Sequence, residues 1–377
     1  MKEHEQILER WSEAEKAGEE AVLATVVKTQ GSSYRLGGAR MLLTRSGQRA
    51  GSISGGCLED DLVKRAWWLT EAGPVIRRYD TTPEGEITGE YGLGCSGIIY
   101  VLLERVLPGQ ARLLELLKEV RSSRTLAAVV HFLQPAAEEG KRLIVDTQGR
   151  VEHNLADTAL GDWLLDSAKD LLTGFQPRAN LRNGVYEIFA ETIAPPVRLL
   201  IFGAGDDAVP LVQLARYLGW QVYVYDGRAH YARAEKFPSA HQVSVLKIDE
   251  PAEIETDRWT AAVLMSHSYS QDLQRLRDLS GQSLAYLGIL GPQKRTRQLL
   301  EDAGLDGSRL RPALRSPMGL DLGADGPEQV ALAVVAEIQA VMNGRSGGAL
   351  YERNGSIHAD GTDLDSKPFF VRPIVCA

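Results

Sequence analysis

A stretch near the middle of the chain constrains the fold more than any other. Residues 197–202 form a β-rich apolar run, and Gly203-Ala-Gly205-Asp-Asp-Ala208 follows it directly. A helical pattern then continues to Leu218, and the next apolar strand ends at Asp226, 21 residues after Gly205. This order of strand, glycine-rich turn, helix, strand and acid is the context that a dinucleotide fingerprint requires. It predicts a Rossmann-type domain built on a parallel sheet.

Whether this turn binds a dinucleotide is a separate question. Its two glycines would let a pyrophosphate approach the backbone, and Asp226 would bind a ribose hydroxyl, which favours NAD. Arg228 would instead serve the 2′-phosphate of NADP. Asp206 and Asp207 oppose an anion at the start of the helix, because their negative charge is unfavourable there. NAD(P) is therefore a candidate cofactor, and the choice between its two forms stays open.

A second glycine-rich stretch, residues 51–60, carries the first of three cysteines. Five of its first six residues are Gly or Ser, so the backbone can turn tightly and approach a ligand closely. Small residues that run into a helix expose unpaired N–H groups, which suits an anionic ligand and favours a thiolate. Ser54, Gly55 and Gly56 are thus candidate binding residues, and Cys57 is the candidate thiol.

Other residues in the N-terminal half extend this candidate site. A later stretch repeats the pattern with Gly94 and Cys95, and an earlier loop carries an aromatic ring, Tyr34, beside a cation, Arg35. Glu59 either orients the first cysteine loop, acts as a nearby base or stabilises the start of the helix. Two loops that merely contain buried thiols would show the same sequence pattern.

His267 is the histidine best placed for chemistry in the second half of the chain. It follows the apolar strand 261–265 by two residues. In an open parallel sheet, residues just past the carboxyl end of a strand face the ligand crevice. A structural loop histidine is the alternative interpretation.

Length and pattern together predict the domain organisation. A chain of 377 residues exceeds one compact domain, and the stretch Ile193-Ala-Pro195-Pro196 interrupts the pattern as a linker would. We expect an α/β protein, with an N-terminal mixed-sheet domain over residues 1–193 and a Rossmann-type domain over 197–345. Residues 346–377 are expected to form a C-terminal tail.

Composition excludes several classes of protein. The net charge of −8 argues against non-specific binding of nucleic acid. No apolar run is long enough to span a bilayer, and the N-terminus does not resemble a signal peptide. The chain has only three cysteines, and an odd number cannot all pair with one another. A disulfide framework is therefore not expected, and a reducing, cytoplasmic setting is.

The order of these motifs resembles the XdhC/CoxI family of maturation factors for xanthine and carbon monoxide dehydrogenases. The likeness extends over about residues 5–345. It is carried by residues 51–59, 92–97 and 203–205, by Met265-Ser266-His267 with Asp272, and by residues 286–291 and 317–324. The family usually has Gly where Ser96 stands and Thr where Ser266 stands.

The resemblance implies a function. Such proteins bind molybdenum cofactor, support installation of its sulfido ligand and deliver it to a xanthine dehydrogenase-type molybdenum hydroxylase. The cofactor would be molybdopterin, with its nucleotide form left open. A cysteine desulfurase and a second copy of the chain in a homodimer are further candidate partners. The resemblance favours a cofactor-binding chaperone over a catalyst.

The resemblance also suggests roles for the candidate residues. Cys57 would be the principal thiol and the candidate contact to molybdenum, because a thiolate is a soft ligand. Cys95 and Glu59 would support it, and His267 would line the side of the second domain. The Tyr34 ring and the Arg35 guanidinium would hold the face and the polar edge of the pterin.

Two other classes of function remain as alternatives. The Rossmann fingerprint with His267 would also fit an NAD(P)-dependent oxidoreductase acting on an unknown small molecule. No Tyr-x-x-x-Lys pair accompanies it, and a fold alone does not assign chemistry. A metal protein with Cys57 and Cys95 as ligands is the third interpretation, although two thiols without a Cys-x-x-Cys pair make a poor zinc set.

Overall fold

The computed structural model describes residues 2–56, 58–81, 97–155, 158–174, 177–251 and 253–352. Over the described residues, the chain divides into two compact units: Glu3–Pro195, and residues 196–352 together with Lys2. Within the described residues, no helix has the length and apolar character needed to cross a membrane.

The described part of the N-terminal unit contains two five-stranded sheets and four α-helices. The first sheet has the order β3-β2-β1-β5-β4 and the second β8-β7-β6-β10-β9. The strands are β1 (Ala21–Gly31), β2 (Arg40–Thr44), β3 (Arg49–Gly51), β4 (Val75–Asp80), β5 (Gly97–Val106), β6 (Ala127–Gln134), β7 (Arg142–Asp146), β8 (Val151–His153), β9 (Arg178–Asn183) and β10 (Tyr186–Ile193). The helices are α1 (Lys2–Lys16), α2 (Glu59–Leu69), α3 (Arg112–Ser123) and α4 (Thr158–Gly174).

Alternation along β1 shows how the first sheet is buried on both faces. Leu23 joins a core cluster that contains side chains from α1, from α3 and from the second sheet. Its neighbours Val22 and Ala24 join a different cluster, formed with α2. Successive strand residues point to opposite faces, so a continuous apolar run is needed where both faces are covered. Helix α4 covers the outer face of the second sheet in the same way.

The predicted α/β class is confirmed, and the two N-terminal sheets differ from the expectation in the direction of their strands. A mixed sheet was expected there, whereas the described strand pairs of both sheets are antiparallel. Several connections, such as Arg45–Gln48 between β2 and β3, are only a few residues long. Short connections join antiparallel neighbours, because a parallel pair needs a crossover of a dozen residues or more.

The second unit is a doubly wound parallel sheet, as the fingerprint predicts. Its strand order is β13-β12-β11-β14-β15-β16, and every pair is parallel. The strands are β11 (Arg198–Phe202), β12 (Gln221–Asp226), β13 (Gln242–Val245), β14 (Thr260–Leu264), β15 (Tyr286–Ile289) and β16 (Leu314–Arg315). The helices are α5 (Ala208–Tyr217), α6 (Tyr269–Leu279), α7 (Gln293–Ala303) and α8 (Pro327–Met342).

Helices cover both faces of this sheet. Helices α5 and α8 pack on one face around Leu199 and Ile201. Helices α6 and α7 pack on the other face around Leu200 and Phe202. The strand order reverses between β11 and β14, and ligands of such sheets bind at the carboxyl ends of the strands next to this switch point.

Candidate functional site

The loop between β3 and α2 is held together by one buried carboxylate. Glu59, at the start of α2, is only 4% exposed. Its Oε1 accepts hydrogen bonds from Ser52 Oγ at 2.7 Å, Ile53 N at 3.1 Å and Ser54 N at 2.8 Å. Its Oε2 accepts from Ser54 Oγ and from Gly56 N, the latter at 3.1 Å. The loop is therefore folded around the carboxylate that follows it.

These hydrogen bonds also fix the charge of Glu59. Burial by itself would raise the pKa of its carboxyl, but the hydrogen bonds from Ser54 and Ser52 outweigh burial and lower the pKa to about 2. The group is ionised at neutral pH, and its oxygens already accept five hydrogen bonds. Of the three roles considered for Glu59, this geometry favours orienting the loop.

Ser54 completes this arrangement. While its hydroxyl donates to Glu59, it accepts from Gly56 N and from Leu58 N, both at 3.2 Å. The sequence predicted unpaired N–H groups at this helix start, whereas the structure satisfies those of Ile53, Ser54, Gly56 and Leu58 internally. Local sequence could not reveal this, because it depends on how the side chains of Ser54 and Glu59 turn back on the loop. Cys57 lies outside the described residues.

The outer surface of the same loop is open. Gly55 and Gly56 are both exposed, and a Cβ placed on Gly56 would meet no atom within 4 Å. The ring of Tyr34 lies beside the loop, 3.9 Å from the position of a Cβ on Gly55, and 66% of Tyr34 is exposed. A flat aromatic face and an accessible backbone therefore lie together at this surface.

Arg35 has a different environment from its neighbour Tyr34. Its Nη1 and Nη2 donate to the two oxygens of Glu3, at 3.0 Å and 2.5 Å. The Oε1 atom of Glu3 also accepts from Ser52 N at 2.8 Å. This pair joins the Tyr34 loop to the Gly55 loop. The sequence analysis missed Glu3, because nothing local links it to a loop 49 residues away.

The second cysteine stretch is described only at its borders. Gly94 and Cys95 lie outside the described residues, while Gly97, which follows them, pairs with Gly31 at the end of β1. A Cβ on Gly97 would collide with the carbonyl oxygen of Ser32. Thr81, on the other side of the stretch, donates to the carbonyl oxygen of Gly97 at 2.7 Å. Both borders therefore meet next to the loop that carries Tyr34.

At the ligand edge of the second unit, the fingerprint residues contact one another. Gly203 has a φ of +130°, and a Cβ there would collide with the backbone of Met265, so only glycine fits. The buried carboxylate of Asp226 accepts from Ala204 N at 2.9 Å and from three groups of Arg228. Asp226 and Arg228, considered separately as contacts to the two dinucleotides, are thus partners of each other.

His267 stands at the switch point, as predicted, and has a partner that the sequence analysis did not assign. Its Nε2 lies 2.7 Å from Oδ2 of Asp207, which follows the second glycine of the fingerprint, Gly205. The ring remains 62% exposed, and the residue has a φ of +55°. A left-handed conformation is uncommon for residues other than glycine, and histidine is among the few that adopt it more often.

The backbone around His267 is held from both sides. Ser266 donates its Oγ to Asp272 Oδ1 at 2.5 Å, and its carbonyl oxygen accepts from Arg228 at 2.8 Å. Asp272 in turn pairs with Arg295 at 2.7 Å. Asp272 is 1% exposed, so its charge needs this cation. The histidine therefore projects from a rigid base.

No group of three or more potential metal ligands occurs among the residues that the structure describes. Cys57 and Cys95 lie outside that part of the chain, so a metal protein with these two ligands stays an alternative. A cavity of about 340 Å³ in the N-terminal unit lies where β5 meets the start of α3. It is lined by residues that include Glu104, Arg112 and Arg142, and none of the residues predicted for the site lines it.

Comparison with known proteins identifies relatives of both halves of the chain. The family described as "XdhC and CoxI family" matches residues 14–80, and the "XdhC Rossmann domain" matches residues 199–338. A probable xanthine dehydrogenase subunit from Bacillus subtilis (strain 168) is 34% identical over 323 residues, covering 85% of this chain and 92% of that protein. The molybdenum cofactor insertion chaperone PaoD from Escherichia coli (strain K12) is 27% identical over 343 residues, covering 90% of this chain and 89% of that protein.

A solved structure agrees with these relatives. The crystal structure of a protein described as a xanthine dehydrogenase from Bacillus halodurans has a TM-score of 0.74 and 28% sequence identity. The match covers 91% of this chain and 98% of that one. Together with the motifs at the two glycine-rich loops, these similarities show that the chain belongs to the XdhC and CoxI family.

Proposed function

We propose that this protein binds molybdenum cofactor as a cargo on the N-terminal unit, at the surface formed by the Gly55 loop and Tyr34. It supports sulfuration of the cofactor and delivers it to a xanthine dehydrogenase-type molybdenum hydroxylase. The names of the relatives support this role, since one is a molybdenum cofactor insertion chaperone and another a probable xanthine dehydrogenase subunit.

The single observation that carries the proposal is the organisation of the loop by Glu59. The five hydrogen bonds to this carboxylate hold the backbone in one conformation without using its outer surface. A rigid site binds more tightly than a mobile one, because less entropy is lost on binding. The exposed Gly55 and Gly56 let a large ligand approach the backbone, and the Tyr34 ring offers a face for a pterin.

The described residues next to the two proposed thiols in the sequence lie at this surface. Cys57 directly follows Gly56, and Cys95 precedes Gly97 by two residues. Gly97 packs against the backbone of Ser32. Tyr34, which is in the same loop as Ser32, lies beside Gly55. The described neighbours of both cysteines thus surround one surface, which supports Cys57 as the principal contact to molybdenum and Cys95 as its support.

The remaining parts of the proposal follow from the cargo. A sulfido ligand must come from a sulfur donor, for which a cysteine desulfurase is the proposed partner. A cofactor that enters an intracellular enzyme implies a cytoplasmic protein, and we propose a homodimer as the assembly that meets the hydroxylase. Arg35, which is paired with Glu3, is assigned to bracing the two loops and to bordering the pterin.

The experiment is an anaerobic titration of the full chain with molybdenum cofactor, with bound pterin and molybdenum as readouts. The wild type, Cys57→Ala and Cys95→Ala are compared, and Cys376→Ala serves as a thiol control outside both loops. We expect stoichiometric binding by the wild type and the control, with a greater loss in Cys57→Ala than in Cys95→Ala. Equal retention by both loop variants would refute the thiol assignment. No binding by the folded wild type would refute the cargo proposal.

A further inference from the structure

The fold of the second unit implies a dinucleotide, and the residues of its turn can be tested for that fit. In such folds the second glycine allows the pyrophosphate to approach the backbone, and the acid after the second strand binds the ribose. The corresponding residues here are Gly205 and Asp226. In this structure, other groups of the chain already occupy the space beside Gly205 and the acceptor oxygens of Asp226.

The space beside Gly205 is filled by the chain itself. A Cβ on Gly205 would collide with Oδ1 of Asp207 and would lie 3.9 Å from the ring of His267. The glycine therefore makes room for the side chain of Asp207, which turns back over the fingerprint. A carboxylate occupies the place where the fold family brings a phosphate, so the turn holds an anion of its own.

This carboxylate has a hydrogen-bond partner in a fixed position. His267 Nε2 contacts Oδ2 of Asp207 at 2.7 Å from across the switch point. The backbone of Ser266, just before His267, is held by Arg228 and Asp272. The Asp207 side chain is only 23% exposed although its neighbour Asp206 is 99% exposed, so the two acids of the turn have different roles.

The ribose acceptor is also occupied. Oδ1 of Asp226 accepts from the backbone N and the Nε of Arg228, and Oδ2 accepts from Arg228 Nη2 and Ala204 N, all at 2.8–2.9 Å. A carboxylate offers about four acceptor positions, so none is left for a ribose hydroxyl. Burial by itself would raise the pKa of Asp226, but the hydrogen bonds from Arg228 and Ala204 outweigh burial and lower it. The ion pair is therefore formed at neutral pH.

We infer that the anion site of this Rossmann turn is filled by the chain's own Asp207 carboxylate, so that the unit does not take NAD(P) as its fingerprint implies. Removal of that carboxylate opens the site to a diphosphate. The Gly203–Gly205 turn and the positive end of α5 then face the incoming phosphate, with His267 as a released donor.

The test measures binding of NAD⁺ and NADP⁺ to the full-length protein by calorimetry. Wild type, Asp207→Ala and Asp206→Ala are compared, because the two substitutions remove the same charge from adjacent residues. We expect no saturation by the wild type at millimolar nucleotide, and at least about tenfold tighter binding by Asp207→Ala than by Asp206→Ala. Circular dichroism and thermal unfolding verify that each variant is folded.

Two further results bear on the inference. The double variant Asp207→Ala/His267→Ala is expected to lose most of the gained affinity, because the released imidazole is absent. Saturable binding of either nucleotide by the wild type would overturn the inference. A folded Asp207→Ala that gains nothing, or an equal gain in Asp206→Ala, would overturn it as well, since filling of the site by Asp207 would then not be the cause.

Discussion

The loop at Gly55 and the turn at Gly203 are both glycine-rich and both held by a buried acid. They differ in whether the outer side of the backbone is open or filled. Glu59 receives its hydrogen bonds from hydroxyl and backbone groups, all on the inner side of its loop. Asp226 receives three of its four hydrogen bonds from one residue, Arg228, two of them from the guanidinium. The outer side is open at Gly56, whereas at Gly205 the chain fills it with Asp207.

This difference shows that a glycine-rich motif locates a tight turn but does not by itself identify a ligand. Small residues mark where the backbone turns sharply or passes close to another group, and that group need not be a ligand. What such a turn can bind depends on which donors and which spaces the rest of the chain leaves free. By that criterion the N-terminal loop is the better candidate for a large cargo, and the Rossmann turn is closed to a diphosphate.

The largest expected effect comes from removing the acid of the N-terminal loop. Glu59→Ala leaves five donors without their acceptor, and we expect a loss of about 4 kcal/mol in the free energy of unfolding of that unit. Urea unfolding followed by tryptophan fluorescence measures it, since Trp67 and Trp68 lie on α2. Asp60→Ala is the control, because this exposed neighbour carries the same charge and its described ion pair is a long one, to Arg49 at 3.4 Å. Equal effects of the two substitutions would contradict the central role of Glu59.

Acid titration is expected to weaken the same loop by a smaller amount. The folded state lowers the pKa of Glu59 from its usual 4.5 to about 2, so below about pH 4.5 the unfolded chain takes up the proton first. The stabilisation is present above pH 4.5 and disappears as the pH falls toward 2, a loss of at most about 3 kcal/mol.

Urea unfolding at a series of pH values from about 5 to about 3 checks this dependence. The variant Glu59→Gln should show a shallower slope than the wild type. A residual slope is expected, because Glu191, buried beside Arg40 and His131, also has its pKa lowered to about 2. An unchanged slope in Glu59→Gln would show that this carboxylate is not the titrating group.

Replacing one glycine of each turn by alanine tests how much space surrounds the backbone there. Gly203→Ala strains a φ of +130° and drives the Cβ into the backbone of Met265, so we expect a loss of about 2 kcal/mol in the Rossmann unit. Gly56→Ala strains a φ of +117° but meets no atom, so about 1 kcal/mol is expected. Thermal unfolding of both variants measures the difference. A larger cost at Gly56 would mean that the outer side of its loop is not open.

Much of the fold was predictable because its signals are local. The apolar run before Gly203 and the acid at the end of β12 fix a strand–turn–helix–strand unit within 30 residues. The position of His267 follows from the same rule about the carboxyl ends of parallel strands. Proximity of Tyr34 to Gly55 was expected only through the family resemblance, and the structure describes them side by side.

The remaining features depend on contacts between distant residues. No pattern in the sequence shows that Glu3 pairs with Arg35 and Ser52, or that Asp207 turns back over Gly205 toward His267. The sequence shows that the two acids after Gly205 are unfavourable for a phosphate, but which of them fills the site depends on the fold. The two N-terminal sheets illustrate the same limit, since strand pairing is set by long-range register.

The smallest expected effect concerns Tyr34, and it distinguishes binding from stability. Because 66% of Tyr34 is exposed, Tyr34→Ala should leave the free energy of unfolding unchanged. Loss of an aromatic face against the pterin should weaken cofactor binding by about 1 kcal/mol, about fivefold, while Tyr34→Phe retains the affinity. Anaerobic titration with molybdenum cofactor measures both variants. Tyr217, which is 71% exposed on α5, supplies the matched control, and an equal loss in Tyr217→Ala would remove the evidence that the cargo contacts the Gly55 loop rather than the Rossmann unit.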